Sequence, residues 1–202
     1  MRTPFRAPRV PILGPSVPRA HGRFAAALGR FMLRLDGWTI EGDFPDLPKL
    51  VMAFAPHTSN WDFPTGLWVK LALRLEVRFI AKHTLFFWPF GPLLRRLGGI
   101  PVDRRAAAGF VGEIAREIRE AEKAVLVVAP EGTRKRTEKW KSGFYRIAQE
   151  TGIPILLLRF DYPRRLVLIG PLFQPTGDYE SDLAAMRSQV DARMALRPEN
   201  YA

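Results

Sequence analysis

Leu50-Val51-Met52-Ala53-Phe54-Ala55-Pro56-His57-Thr58-Ser59-Asn60-Trp61-Asp62 is the stretch from which the fold is read. Six apolar residues in a row, too few for a helix of ordinary length, read as a strand buried on both faces. The polar segment that follows leads into a helical pattern near 62–74, a strand–turn–helix step of the kind that builds α/β domains. Functional groups in such folds collect where strands end, and His57 stands at that edge.

Outward from this stretch the rhythm continues. Apolar runs at 50–55, 76–81, 99–102, 124–129 and 153–159 alternate with helical patterns near 62–74, 106–122 and 142–151. Gly152 is placed to close the last of these in a left-handed conformation. Leu166–Ile169 suggests a further strand after a Pro163-Arg164-Arg165 turn, and Tyr179–Leu196 a closing helix. The expected architecture is a single α/β domain over residues 37–202, with a mixed, largely parallel sheet flanked by helices.

Two segments precede it. Residues 1–20 hold Pro4, Pro8, Pro11, Pro15 and Pro18, whose fixed φ and missing N–H predict a loose or extended Pro/Arg-rich arm. Residues 21–36 read as an amphipathic interfacial helix: Phe24, Leu28, Phe31, Met32 and Leu35 share one face, and Arg23, Arg30 and Arg34 cluster opposite. A helix lying in a membrane interface needs that segregation, and so does a helix packed on its own domain.

The chain's 31 Lys and Arg against 20 Asp and Glu give a formal charge of +11, so an anionic partner is expected: lipid head groups, phosphorylated substrates or nucleic acid. The absence of cysteine excludes disulfides, thiolate nucleophiles and Cys-ligated metals. No uncharged stretch exceeds about twelve residues, against the roughly 20 that a spanning helix requires. The N-terminus lacks the apolar core of a secretory signal, so export is not expected.

Of three histidines, His57 has the setting of a catalytic group, and His21 and His83 do not. On an ideal helix Asp62 would point about 140° away from His57, but across a strand-to-helix turn the two can meet. Thr58 or Ser59 would then cap the helix. A neutral imidazole with one nitrogen on Asp62 can take a proton from an alcohol with the other. No G-x-S-x-G elbow and no metal-ligand spacing compete with this dyad. Amides at the start of the following helix would stabilise an oxyanion.

Four blocks in order over residues 56–158 resemble the lysophosphatidic acid acyltransferase (PlsC-like) family. They are His57 to Asp62; Gly98-Gly99-Ile100-Pro101-Val102-Asp103-Arg104; Pro130-Glu131-Gly132-Thr133-Arg134 with Lys141-Ser142-Gly143; and Ile153–Leu158. The last has Leu157 where a second proline is common, a departure that touches acceptor specificity and not the fold. The resemblance implies His57 as base, Asp62 as its partner, and Arg104, Glu131, Gly132, Thr133 and Arg134 as the acceptor site, with Lys141 beside it. Arg134 suits a phosphate, and Glu131 is expected to hold Arg134, Arg104 or an acceptor hydroxyl.

The expectation that follows is an O-acyltransferase on the cytoplasmic face of a membrane, peripheral or monotopic. It would move a fatty acyl group from an acyl-CoA or acyl carrier protein thioester to lysophosphatidic acid, with no bound cofactor, no metal and no nucleic-acid partner. Another lysophospholipid, a glycolipid or a plain alcohol is the alternative acceptor. A non-catalytic basic module binding membrane or nucleic acid is the reading from a different class. Phe86, Phe87 and Trp88, with Phe24 and Phe31, are the expected acyl-chain or membrane contacts.

Overall fold

The run Leu50–Ala55 lies at the middle of the protein as β2 (Lys49–Phe54). In the computed structural model, which describes residues 10–20, 22–103 and 107–202, one seven-stranded sheet has the order β1-β7-β6-β2-β5-β3-β4. Its other strands are β1 (Thr39–Glu41), β3 (Arg78–Lys82), β4 (Gly99–Val102), β5 (Ala124–Val128), β6 (Ile155–Asp161) and β7 (Leu166–Phe173). β2 pairs in parallel with β5 and β6, Met52 lying opposite Val127 on one side and Leu156 on the other. β7 runs antiparallel to β6, which makes the sheet mixed but largely parallel.

Alternation along β2 explains why its sequence is apolar without interruption. Leu50, Met52 and Phe54 enter one core with Val69, Leu158 and Phe160; Val51, Ala53 and Ala55 enter the other with Ile147, Leu157 and Met186. The first core is covered by α1 (Arg23–Leu35) and α2 (Asp62–Leu73), the second by α4 (Ala107–Glu120), α5 (Gly143–Thr151) and α6 (Tyr179–Arg187). α5 closes at Gly152 with φ of 67°, in the left-handed region.

Several boundaries differ from the periodicity, each for a local reason. β1 has only three residues and no pattern of its own; its parallel pairing with β7 holds it. α3 (Phe90–Arg96) lies where the periodicity placed no element; Pro92 fits its first turn, where a missing N–H costs nothing. The closing helix stops at Arg187. Beyond it Asp191 accepts from the Arg193 amide at 2.8 Å and forms a short 3₁₀ turn, whose Met194 carbonyl receives the Tyr162 amide at 2.9 Å.

The first nine residues of the arm, His21 and the expected helix start at 106 lie outside the described residues. Residues 10–20 are extended and docked: Leu13 and Val17 are buried, and the Pro18 carbonyl accepts from the Glu76 amide at 3.0 Å. α1 meets α2 through Ala26, Gly29 and Leu33. The approach is close enough that a Cβ at Gly29 would stand 2.5 Å from the Ala72 nitrogen. The bulky stripe is therefore not the face that packs. Phe24, Leu28, Phe31 and Leu35 are exposed, Phe24 by 84% and Phe31 by 60%, and Met32 is intermediate.

The exposed stripe generates a test. Replacing Phe24 and Phe31 by Ser removes two side chains that would each contribute about 1.5–3 kcal/mol on entering an apolar phase. Cosedimentation with anionic phosphatidylglycerol vesicles is expected to weaken by at least tenfold while the circular dichroism spectrum is unchanged. Undiminished binding would detach α1 from any membrane role.

Candidate active site

β2, β3, β4, β5 and β6 all run the same way, so their carboxyl ends share one edge of the sheet. The turn after β2 carries His57 over that edge, and α2 starts at Asp62. His57 Nδ1 stands 2.9 Å from Asp62 Oδ2, with the imidazole side chain 17% exposed and the carboxylate 1%. The contact is close but bent, since the ring N–H does not line up with the oxygen as a straight hydrogen bond.

A carboxylate this deeply buried needs donors. The Tyr162 hydroxyl donates to Oδ1 at 2.7 Å, and the Ser59 amide donates to Oδ2 at 2.9 Å. Neither Thr58 nor Ser59 caps α2 through its side chain in the expected way. Ser59 Oγ accepts from the Trp61 amide at 3.2 Å, within the turn, and Thr58 Oγ1 accepts from the Arg197 amide at 3.4 Å. With the Asp62 amide directed at the Ser59 carbonyl, the amides of Ser59, Trp61 and Asp62 all have acceptors within the turn.

Glu131 has a partner that the motif reading did not include. Its Oε1 accepts from the His57 backbone N–H at 2.8 Å, and among the described residues it makes no hydrogen bond with Arg134. It is 1% exposed, and Oε2 is buried without a hydrogen-bond partner among the described residues. Burial pushes its carboxyl up to about 7, against the pull of the His57 amide; the Asp62 charge adds to the rise and Arg187 opposes it.

The rest of that loop follows β5 beside the dyad. Gly132 has φ of 64°, with Lys141 packed against it so that a Cβ would meet Cγ at 3.3 Å. The Lys141 amide donates to the Pro130 carbonyl at 2.7 Å, folding the basic segment back on the loop. Thr133 Oγ1 accepts from the Lys135 amide at 3.1 Å. Arg134 is half-buried, and its Nε has no hydrogen-bond partner. Arg104 lies outside the described residues. His83 stays apart from the dyad, its Nδ1 3.3 Å from the Val102 carbonyl at the end of β4.

Trp61 is exposed and Phe63 leans on Phe79, so neither closes over the dyad. Phe54 supplies the wall, its ring edge-on to His57 at 5.6 Å and tilted against Phe160 at 4.5 Å. Phe86 is half-buried under Arg95, whereas Phe87 and Trp88 are exposed near Phe90.

Tyr162, Thr65 and the tail around Arg197–Tyr201 are the neighbours that motif reading missed. Tyr162 could have been flagged: it follows β6, the parallel neighbour of β2, so it had to arrive at the same edge. Nothing in the local sequence marks the Arg197–Thr58 contact.

Residues 43–159, more than half the chain, match the sequence profile of the family described as Acyltransferase. The fold is similar to that of the 1-acyl-sn-glycerophosphate (LPA) acyltransferase, PlsC, from Thermotoga maritima. The two superpose with a TM-score of 0.62 at 22% sequence identity, over 84% of this chain and 76% of that one. Among curated protein sequences none matches the chain.

The raised Glu131 carboxyl predicts a pH signature. Between its usual 4.5 and about 7 the folded state holds a proton that the unfolded chain releases. Its contribution to stability is therefore complete below 4.5 and is lost as pH rises through about 7. Over that window the loss amounts to up to about 3 kcal/mol. Urea melts at pH 4.5 and 7.5 are expected to show this decline in the native protein and a flatter profile in Glu131→Gln. Equal slopes for both would remove Glu131 as the source.

Proposed function

The chain belongs to the acyltransferase family, and we propose that its reaction is the acylation of lysophosphatidic acid to phosphatidic acid at a membrane surface. The donor in this reading is an acyl thioester of coenzyme A or of acyl carrier protein. The observation that carries it is the partly exposed imidazole backed by a buried carboxylate, at the sheet edge that also holds the Gly132–Arg134 loop.

With Nδ1 on Asp62, the Nε2 lone pair is the base. It takes the proton of the acceptor hydroxyl as the oxygen attacks the thioester carbonyl carbon. The resulting tetrahedral adduct collapses with cleavage of the C–S bond, and the thiolate recovers the proton from the imidazolium. Ester and thiol are the products, and no acyl-enzyme forms, in keeping with a chain that has no cysteine.

Arg134 is assigned to the acceptor phosphate, because a planar guanidinium can take two phosphate oxygens at once. Arg104 and Lys141 are assigned as supporting cations, and Gly132 and Thr133 as the turn that lets the backbone approach the head group. Glu131 serves this site through the His57 backbone. Phe86, Phe87 and Trp88 are assigned to the acyl chain or the lipid surface.

α1 supports the membrane setting. It presents Phe24, Leu28, Phe31 and Leu35 outward, and Arg23 and Arg30 are exposed as well. Among the described residues no helix is long and apolar enough to cross a membrane, so the contact proposed is interfacial.

An acceptor panel with labelled acyl thioester tests the reading. Turnover of lysophosphatidic acid is expected to fall roughly 10²–10⁴-fold in His57→Ala. Arg134→Ala is expected to raise KM for lysophosphatidic acid about tenfold or more, with little effect on monoacylglycerol. Full activity in His57→Ala would remove the base, and preference for an unphosphorylated acceptor would replace the substrate.

A further inference from the structure

Asp62 can help His57 only if the correct oxygen faces the ring, and rotation about the bond to the carboxyl carbon would exchange the two. Tyr162 stands on the oxygen that His57 does not use. Its hydroxyl donates to Oδ1 at 2.7 Å, while Oδ2 takes the Ser59 amide at 2.9 Å and faces His57 Nδ1 at 2.9 Å. We propose that Tyr162 is a positioning residue of the acyl-transfer site, holding the Asp62 carboxylate in the rotation that presents Oδ2 to the imidazole. The inference rests on the reading of His57 as base.

The phenol is built in for this task. Tyr162 is buried, with its ring edge-on to Trp38 at 5.0 Å and near Phe160, so it moves little and does not reach substrate. Thr65, on α2, is a polar neighbour that acts on the Tyr162 hydroxyl, so its loss reaches His57 only through Tyr162 and Asp62. Burial and the adjacent Asp62 charge push the phenol's pKa up, so it remains a donor throughout the working range. The residue lies after β6 and outside the family-matched span, which ends at 159. The charged groups that neighbouring elements bring to bear are Glu131, on the His57 amide and near Asp62; Arg187, acting on Glu131; and Arg165, over the Trp38 ring and near Tyr162.

The test uses the full chain with acyl-CoA and lysophosphatidic acid across pH 5–9. Loss of a hydrogen bond to a charged acceptor predicts that Tyr162→Phe lowers kcat about tenfold or more, with KM for both substrates unchanged. Asp62 with one donor fewer is the stronger anion beside an imidazolium, so the acid limb of kcat/KM moves to higher pH. The same upward shift is read from an NMR titration of the His57 imidazole, which needs no acceptor.

Thr65→Val is expected to move each readout the same way by a smaller amount. Trp38→Phe, which disturbs packing around the ring but leaves the hydroxyl contact, is expected to lower stability without moving the acid limb. If Tyr162→Phe keeps the native kcat and titration while His57→Ala is inactive, the role of Tyr162 is overturned and the base stands. If His57→Ala retains near-native turnover, both fall together.

Discussion

The buried Asp62 carboxylate, its side chain 1% exposed, is the constraint from which the site's construction follows. A lone charge at that depth costs several kcal/mol and is tolerated only with donors on its oxygens. Here the donors come from separate places, a phenol after β6 and an amide in the turn after β2, and the imidazole of that same turn stands 2.9 Å from the carboxylate. Bringing them together requires β2 beside β6 in parallel and α2 beginning at residue 62. The geometry of the dyad is thus a property of the sheet order as much as of the turn.

Around that centre the backbone of the turn is held from both sides. Glu131, after β5, takes the His57 amide, and the tail takes Thr58 through the Arg197 amide and, at 3.5 Å, Asn200 Nδ2. The histidine is consequently fixed at main chain and side chain by different elements, while its ring keeps one edge toward solvent. Such support is what a proton-transferring group needs to remain in place when substrate arrives.

What the sequence made legible divides along physical lines. β2 was readable because both its faces are buried and every position had to be apolar; Gly152 was readable because the end of α5 needs a left-handed residue. β1 was not, since Thr39-Ile40-Glu41 carries no pattern, and its existence depends on β7. The closing helix was read too long because the stop at Arg187 depends on Asp191 and on the Met194–Tyr162 contact. In the site, His57 and Asp62 were accessible through motif spacing, whereas the true partner of Glu131 and the presence of Tyr162 arise from contacts 74 and 100 residues apart in sequence. The apolar stripe of α1 was visible, but not the choice of the smaller Ala26-Gly29-Leu33 face for packing, which the close approach to α2 decides.

In the proposed reaction Asp62 fixes the tautomer of His57 so that Nε2 carries the lone pair. ¹⁵N-edited NMR of the neutral imidazole measures this directly. A single tautomer with the proton on Nδ1 is expected, lost in Asp62→Asn. A predominantly Nε2-protonated ring in the native protein would contradict it.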